Sequence, residues 1–227
     1  MRLINPYQIC TWDEEADCVT CENKGRLNCK WDASVLTVFL LSVIPFVLVA
    51  IFGIVMVGII TGLWWPLVAY LGFWVFFFVL IEIRVLCSHC PYYARSGRIL
   101  HCLANHGIVK LWHYHPEPMN RFEKISLIVG FVIFASFPII VQTYGIFRIA
   151  SYYIAYGDLL LLGMIGITGA TIACIAAFCT VLWTLICPRC VNFSCPLNRV
   201  EKNKVDAYLC RNPVMLEAWQ KYGYKLG

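Results

Sequence analysis

The groups in this chain most able to do chemistry are its thirteen cysteines, spread over 227 residues in repeated short spacings. The N-terminal segment carries Cys10, Cys18, Cys21 and Cys29 as C-x7-C-x2-C-x7-C. The middle carries Cys87-Ser-His-Cys90 and then His101-Cys102, and the end carries Cys187-Pro-Arg-Cys190, Cys195 and Cys210. A C-x-x-C turn lets two thiolates grip one ion, and a second pair or a histidine completes a tetrahedron. Groups of four, three and four cysteines predict two all-cysteine sites flanking one site of three cysteines and a histidine, His101 or His106. The alternative partition sets Cys87 and Cys90 against Cys187 and Cys190 in one shared site. Structural zinc is the leading metal, with an iron–sulfur cluster or rubredoxin-type iron as the alternative. The bacterial-ferredoxin run C-x2-C-x2-C-x3-C-P is absent, and the tail's C-x2-C-x4-C-P matches it only in part. No C-x-x-C-H occurs and no histidine falls in an apolar run, so no haem is expected.

These cysteines must be positioned by the apolar part of the chain. It is 60% hydrophobic and 14% charged with mean hydropathy +0.71, against roughly 45–50% apolar and about 25% charged in soluble domains. Four runs reach the ~20 residues a bilayer-crossing helix needs: residues 33–62, 65–86, 125–147 and 159–186. Trp64, Trp65 and Pro66 break the first two apart as a turn between antiparallel helices, and Pro45 and Pro138 lie inside spans. No signal peptide is expected ahead of the first run. The fold expected is an all-α integral membrane protein, a four-helix transmembrane bundle of two hairpins, carrying cysteine-rich, metal-stabilised cytoplasmic segments. Its segments are 1–32, the hairpin 33–86, the Cys/His-rich loop 87–124, the hairpin 125–186 and the tail 187–227.

Charge gives the orientation. Of 18 lysines and arginines, all except Arg148 fall in the N-terminal segment, the central loop or the tail, counting Arg2 and Arg84. The positive-inside rule puts that side, and both termini, in the cytoplasm, which in a prokaryote means the cytoplasmic (inner) membrane. The net charge of +5 is then a topology signal, and no nucleic-acid partner is expected. All cysteines except Cys174 and Cys179 share this reducing side, which favours metal over disulfides. The junctions Val85-Leu86-Cys87-x-x-Cys90 and Leu185-Ile186-Cys187-x-x-Cys190 suggest a tandem repeat of the hairpin.

The remaining features are weaker. His113 and His115, with Glu117, offer a further ligand set, but the segment around Ile108, Leu111 and Trp112 reads better as an interfacial amphipathic helix. Glu82 is a candidate proton or quinone contact, Arg84 reads as snorkelling to headgroups, and Gln142 as bonding a neighbouring helix. Small residues along the fourth span, with Cys174 among them, suit close packing or a partner subunit. The tail after Cys210 reads as a short helix capped by Asn212 and Pro213, laying Met215, Leu216 and Trp219 on a membrane or partner.

Cys87-x-x-Cys90, Arg98 and His101-Cys102 resemble the opening zinc-ligand segment of protein palmitoyltransferases of the Asp-His-His-Cys family, over residues 87–102. That resemblance implies four spans, a zinc-bound loop and acyl transfer. The tetrad itself is missing, since no cysteine follows His106, His113 or His115 within the loop, so the route has no nucleophile. The leading expectation is a non-catalytic anchor or scaffold subunit of a larger membrane complex, in contact with lipid and other subunits. The alternatives are a quinone-linked electron-transfer subunit carrying iron centres and a thiol or histidine enzyme acting on a lipid substrate. Enzymatic activity of the chain on its own is not expected.

Overall fold

The computed structural model describes residues 5–151 and 153–227, with the side chains of 153–156 outside that description; Arg2, counted above, lies outside it too. The described residues are helical without a strand, and four helices are long and apolar enough to cross a membrane: Ala33–Thr61, Trp65–Cys87, Arg121–Ser151 and Gly157–Arg189. We label α1 as Ala33–Thr61 and α2 as Trp65–Val75, which continues as a π-helical stretch over Phe76–Cys87. Helix α3 is Arg121–Ser151, and α4 is Tyr153–Val181, followed by π-helical Leu182–Ile186. Two short helices end the chain, α5 over Lys202–Cys210 and α6 over Pro213–Lys221. Pro66 sits in the first turn of α2, where its missing N–H costs nothing. Pro45 and Pro138 lie inside α1 and α3. The expected outer loop 148–158 is shorter than the sequence suggests. Helix α3 runs on to Ser151, and the backbone leaves helical geometry at Gly157, whose φ of 73° only glycine adopts readily.

The chain divides into two compact units. One comprises Leu40–Val79 and Ile128–Val181. Its core is Phe46, Ala50, Ile54, Val57, Tyr70, Phe134, Val141, Ile149 and Met164. Phe134 is the hub: Phe46 and Phe78 meet it edge-on at 5.3 and 5.0 Å, and the Tyr70 hydroxyl donates to its carbonyl at 3.1 Å. Leu48, Phe52, Ile59, Ile140 and Leu162 face outward and are more than half exposed, the pattern expected where lipid is the solvent. Gln142 is fully buried; its amide donates to the Ala50 carbonyl and its oxygen accepts from Thr171, so α3 is tied to α1 and α4 as expected.

Small residues set how close these helices come. A Cβ at Gly130 would run into the Phe77 ring and one at Gly53 into the Gln142 amide, whereas one at Gly166 would meet nothing. Gly130→Val is therefore expected to destabilise the protein by about 1–3 kcal/mol through overpacking, while Gly166→Val leaves stability within error. Thermal unfolding of the two variants in detergent checks this, and equal midpoints would refute the packing.

The other unit gathers Met1–Phe39, Leu80–Leu127 and Leu182–Gly227, three stretches far apart in sequence. Ile9, Leu27, Ile83, Tyr92, Leu100, Tyr114, Val191, Tyr208, Leu209, Met215 and Trp219 form its core, together with Cys87 and Cys90. Two expectations fail here. The segment around residues 108–112 is not an amphipathic helix. Gly107, at φ 85°, turns the chain so that Ile99 bridges Val109, and Lys110 N–H donates to the Arg98 carbonyl at 2.7 Å. The tail does form the helix expected after Asn212, but Met215 and Trp219 are buried inside this unit rather than offered to lipid or partner. Helix α5 before it has no counterpart among the sequence expectations; its nine residues bury only Val205, Tyr208 and Leu209.

Candidate metal centre

All the cysteines proposed as ligands lie in the second unit, and all except Cys210 fall into two neighbourhoods. In the first, Cys29 is pushed up to about 12 by burial, with the thiols of Cys10, Cys21 and Cys18 adding to the shift. Cys10 is raised by burial as well, opposed by a hydrogen bond from the Asn212 amide to its sulfur at 3.4 Å. A cleft of about 450 Å³ opens beside this quartet, lined among others by Cys18, Cys21, Cys29 and Lys30. The Lys30 ammonium is held by the carbonyls of Cys10, Thr11 and Asp13, so the turn around Cys10 is closed by a cation.

The second neighbourhood joins the central loop to the tail. Burial raises Cys90, and the thiols of Cys102 and Cys190 push it further the same way. Cys190 is raised by burial, then by Cys195, Cys187 and Cys102. Cys195 is pushed up to about 11, chiefly by burial, with Cys187 and Glu82 contributing. Thiols of the loop and tail C-x-x-C pairs thus lie near enough to shift one another. The reason is a hydrogen bond that spacing cannot reveal: Asn192, buried behind Cys190, donates from its side chain to the Leu86 carbonyl at 2.8 Å.

The two pairs are also built alike. Each follows a π-helical stretch, a form found mostly at functional sites. Each then closes a tight turn, with Cys90 N–H on the Cys87 carbonyl at 2.9 Å and Cys190 N–H on the Cys187 carbonyl at 3.4 Å. Cys90 and Cys190 leave those turns at nearly identical angles, φ −87° and ψ 133° against φ −79° and ψ 128°.

Glu82 is buried at 7% exposure. Its Oε1 accepts from the Asn105 amide at 3.0 Å, and the same amide donates to Cys87 Sγ at 3.3 Å. Its Oε2 has no partner, and neither has Asn192 Oδ1. Arg84 does not snorkel: its guanidinium sits 6.0 Å over the Trp112 ring, with one nitrogen buried and unpaired. His101 and His106 meet edge-on at 5.0 Å, and Trp31 covers His106 at 4.8 Å. Cys210 is exposed at the end of α5. Among the described residues, no three cysteine, histidine, aspartate or glutamate side chains stand close enough to hold a metal ion as placed. The thiols are neighbours, not a closed ligand set.

Sequence reasoning passed over Asn105 and Asn192 and read Asn212 only as a helix cap, whereas its side chain makes no cap bond and its amide turns to Cys10 Sγ. Only their place near cysteines could have marked Asn105 and Asn192. No family model, curated protein or solved structure matches the chain.

Asn212 is fully buried and accepts Cys10 N–H at 2.7 Å, so it joins the first segment to the last. Asn212→Ala is expected to cost about 1–3 kcal/mol and to speed trypsin cleavage at Lys24 and Arg26 severalfold; an unchanged cleavage rate would refute the joint. In metal-free protein the exposed Cys18 and Cys210 should alkylate first and the buried Cys87 and Cys90 last, read by mass spectrometry. Because Cys195 is held near 11 instead of its usual 9.0, its neutral folded form contributes stability that is complete below pH 9 and lost as pH rises toward 11. The metal-free protein should therefore melt earlier as pH rises through that window, an effect Cys195→Ala reduces without abolishing, since burial also raises Cys10, Cys29, Cys90 and Cys190.

Proposed function

We propose that this is a non-catalytic anchor subunit of a membrane complex, whose cysteine-rich unit is a docking platform held together by thiolate-bound metal, zinc before iron. The observation that carries the reading is the gathering of Cys87, Cys90, Cys102, Cys187, Cys190 and Cys195 around one place from two distant segments. Six neighbouring sulfurs, two of them buried and four partly so, repel one another when deprotonated without a cation. Thiolates with a divalent ion between them resolve that conflict. The orphaned Oε2 of Glu82 and Oδ1 of Asn192 supply further oxygen donors beside the sulfurs. The N-terminal quartet, with Cys10, Cys18, Cys21 and Cys29, is the second centre of this reading, and Cys210 stays outside both. The matched π-helix, turn and C-x-x-C at the two junctions favour a duplicated hairpin. The distribution of lysine and arginine supports a cytoplasmic platform, where reducing conditions would keep its thiols free for metal.

Protein purified without chelator is expected to be colourless and to hold near-stoichiometric zinc, with Cys90→Ser and Cys190→Ser each losing the metal of the shared centre. Protein purified without chelator that is folded yet holds no metal would overturn the reading. Iron with visible absorption and a paramagnetic signal on reduction would favour electron transfer, for which Glu82 is the buried acidic group nearest the thiols. A membrane-impermeant maleimide should label Cys210 in inverted vesicles and not in intact cells; the reverse pattern would invert the topology. Turnover by the isolated chain would end the anchor assignment.

A further inference from the structure

The spacer of the central-loop C-x-x-C, Cys87 to Cys90, holds a histidine that the thiol reading leaves without a task. His89 is 3% exposed, and its Nδ1 lies 2.7 Å from the Val85 carbonyl. That nitrogen must carry the proton and donate, which leaves the Nε2 lone pair free. His89 Nε2 faces Glu123 Oε2 at 3.9 Å. The His115 ring lies alongside, stacked on His89 with centroids 5.4 Å apart and planes 24° from parallel. His115 in turn engages Glu117 through Nδ1 at 2.9 Å, so its Nε2 is also left as a lone-pair donor. Both imidazoles thus show the orienting bond that metal-ligating histidines make through their second nitrogen, one to a carbonyl and one to a carboxylate.

The backbone fixes this arrangement. His115 N–H donates to the Ser88 carbonyl at 2.8 Å, locking the two histidine-bearing strands of chain together. Glu123 is held at the start of α3 by a capping box: Asn120 N–H donates to its Oε2 at 2.9 Å, and Glu123 N–H donates to Asn120 Oδ1 at 2.9 Å. A separation of 3.9 Å is too long for a hydrogen bond. It is close to the spacing of two donors on one ion, ~3.4 Å for tetrahedral geometry with bonds of ~2.1 Å.

We propose that His89, His115 and Glu123 form a second divalent-metal site of nitrogen and oxygen donors, with Glu117 as the positioning residue of His115. Two imidazoles and a carboxylate suit iron(II), zinc or manganese rather than a thiolate-seeking ion. The donors do not meet at a common point as placed. Closing the site asks for side-chain rotation of His115 and Glu123, at 29% and 19% exposure, while buried His89 stays fixed. The partial positive charge at the helix start opposes a cation there, and Glu123 together with Glu117 offsets it. The exposed side leaves room for water or a small ligand on the ion.

The test is cobalt(II) loading of the full-length, metal-free protein in detergent, with cobalt counted and the spectrum recorded. Thiolate ligands give an intense sulfur-to-cobalt charge-transfer band; nitrogen and oxygen ligands do not. His115→Ala and Glu123→Gln should each bind one equivalent less than wild type while keeping the same charge-transfer intensity. Glu123→Gln retains an oxygen for the Asn120 N–H, so the helix start survives. Cys90→Ser should show the opposite pattern, weaker charge-transfer absorption with the extra equivalent still bound. Equal cobalt content in wild type and both His115→Ala and Glu123→Gln would overturn the proposal. Wild type without the sulfur band that still binds the equivalent its variants lack would support this site and sink the thiol centre instead.

Discussion

Three segments with little regular structure depend on one another at Asn28. Its carbonyl, and that of Lys30, stand 2.7 and 2.9 Å from the hydroxyl of Tyr92, a central-loop residue. Its N–H donates to the carbonyl of Arg189, from the start of the tail, at 2.8 Å. Buried backbone groups must be paired, and here neither helix nor sheet supplies the partners. Each segment therefore satisfies the others, and Cys29 follows next in the chain. Around that node Thr11 meets the Tyr208 hydroxyl at 2.9 Å, Trp12 donates to the Pro91 carbonyl at 3.0 Å, and Trp219 donates to the Pro116 carbonyl at 3.1 Å.

The cost of this construction is concentrated in the sulfurs. Burial is the first cause of every raised thiol here, and neighbouring thiols come after it. A small unit built from three crossings of the chain buries its cysteines against tyrosines, with Tyr92, Tyr114 and Tyr208 all in the core. The ring contacts add to this framework: Tyr7 meets Tyr114 edge-on at 4.8 Å and Phe193 meets Tyr208 at 5.1 Å. Cations close the loops from outside, as Arg95 does at 5.0 Å over Trp12 and Lys110 at 5.2 Å over Tyr93. Lys110 also pairs with the carbonyls of Tyr93 and Arg95 and is pulled down to about 8 by burial, then by Arg95.

The spans were legible in the sequence because lipid demands uninterrupted apolar length, a signal that survives without any knowledge of packing. The break at Trp64–Pro66 and the bonding of Gln142 were legible for the same reason: a polar amide in hydrocarbon has to find a partner. The cysteine grouping was not. Spacing ties Cys187 to Cys195, but the bond from Asn192 to the Leu86 carbonyl sets Cys190 beside Cys90, and such long-range pairings leave no local trace. The segment 108–112 was misread because Ile108, Leu111 and Trp112 share a helical spacing, while Gly107 had already turned the chain back on itself. His89 escaped notice inside a motif that drew attention to its flanking sulfurs, and Glu123 because a capping acid explains itself.

The clasp between Cys10 and Asn212 carries a consequence for how the chain is made. Ribosomes deliver the first thirty residues long before the partners that complete them. The N-terminal quartet cannot settle until the central loop and the last two helices have emerged, after all four spans. Completion of the quartet thus waits for the segment that carries Asn212, and a molecule with a missing hairpin leaves Cys10 without that partner.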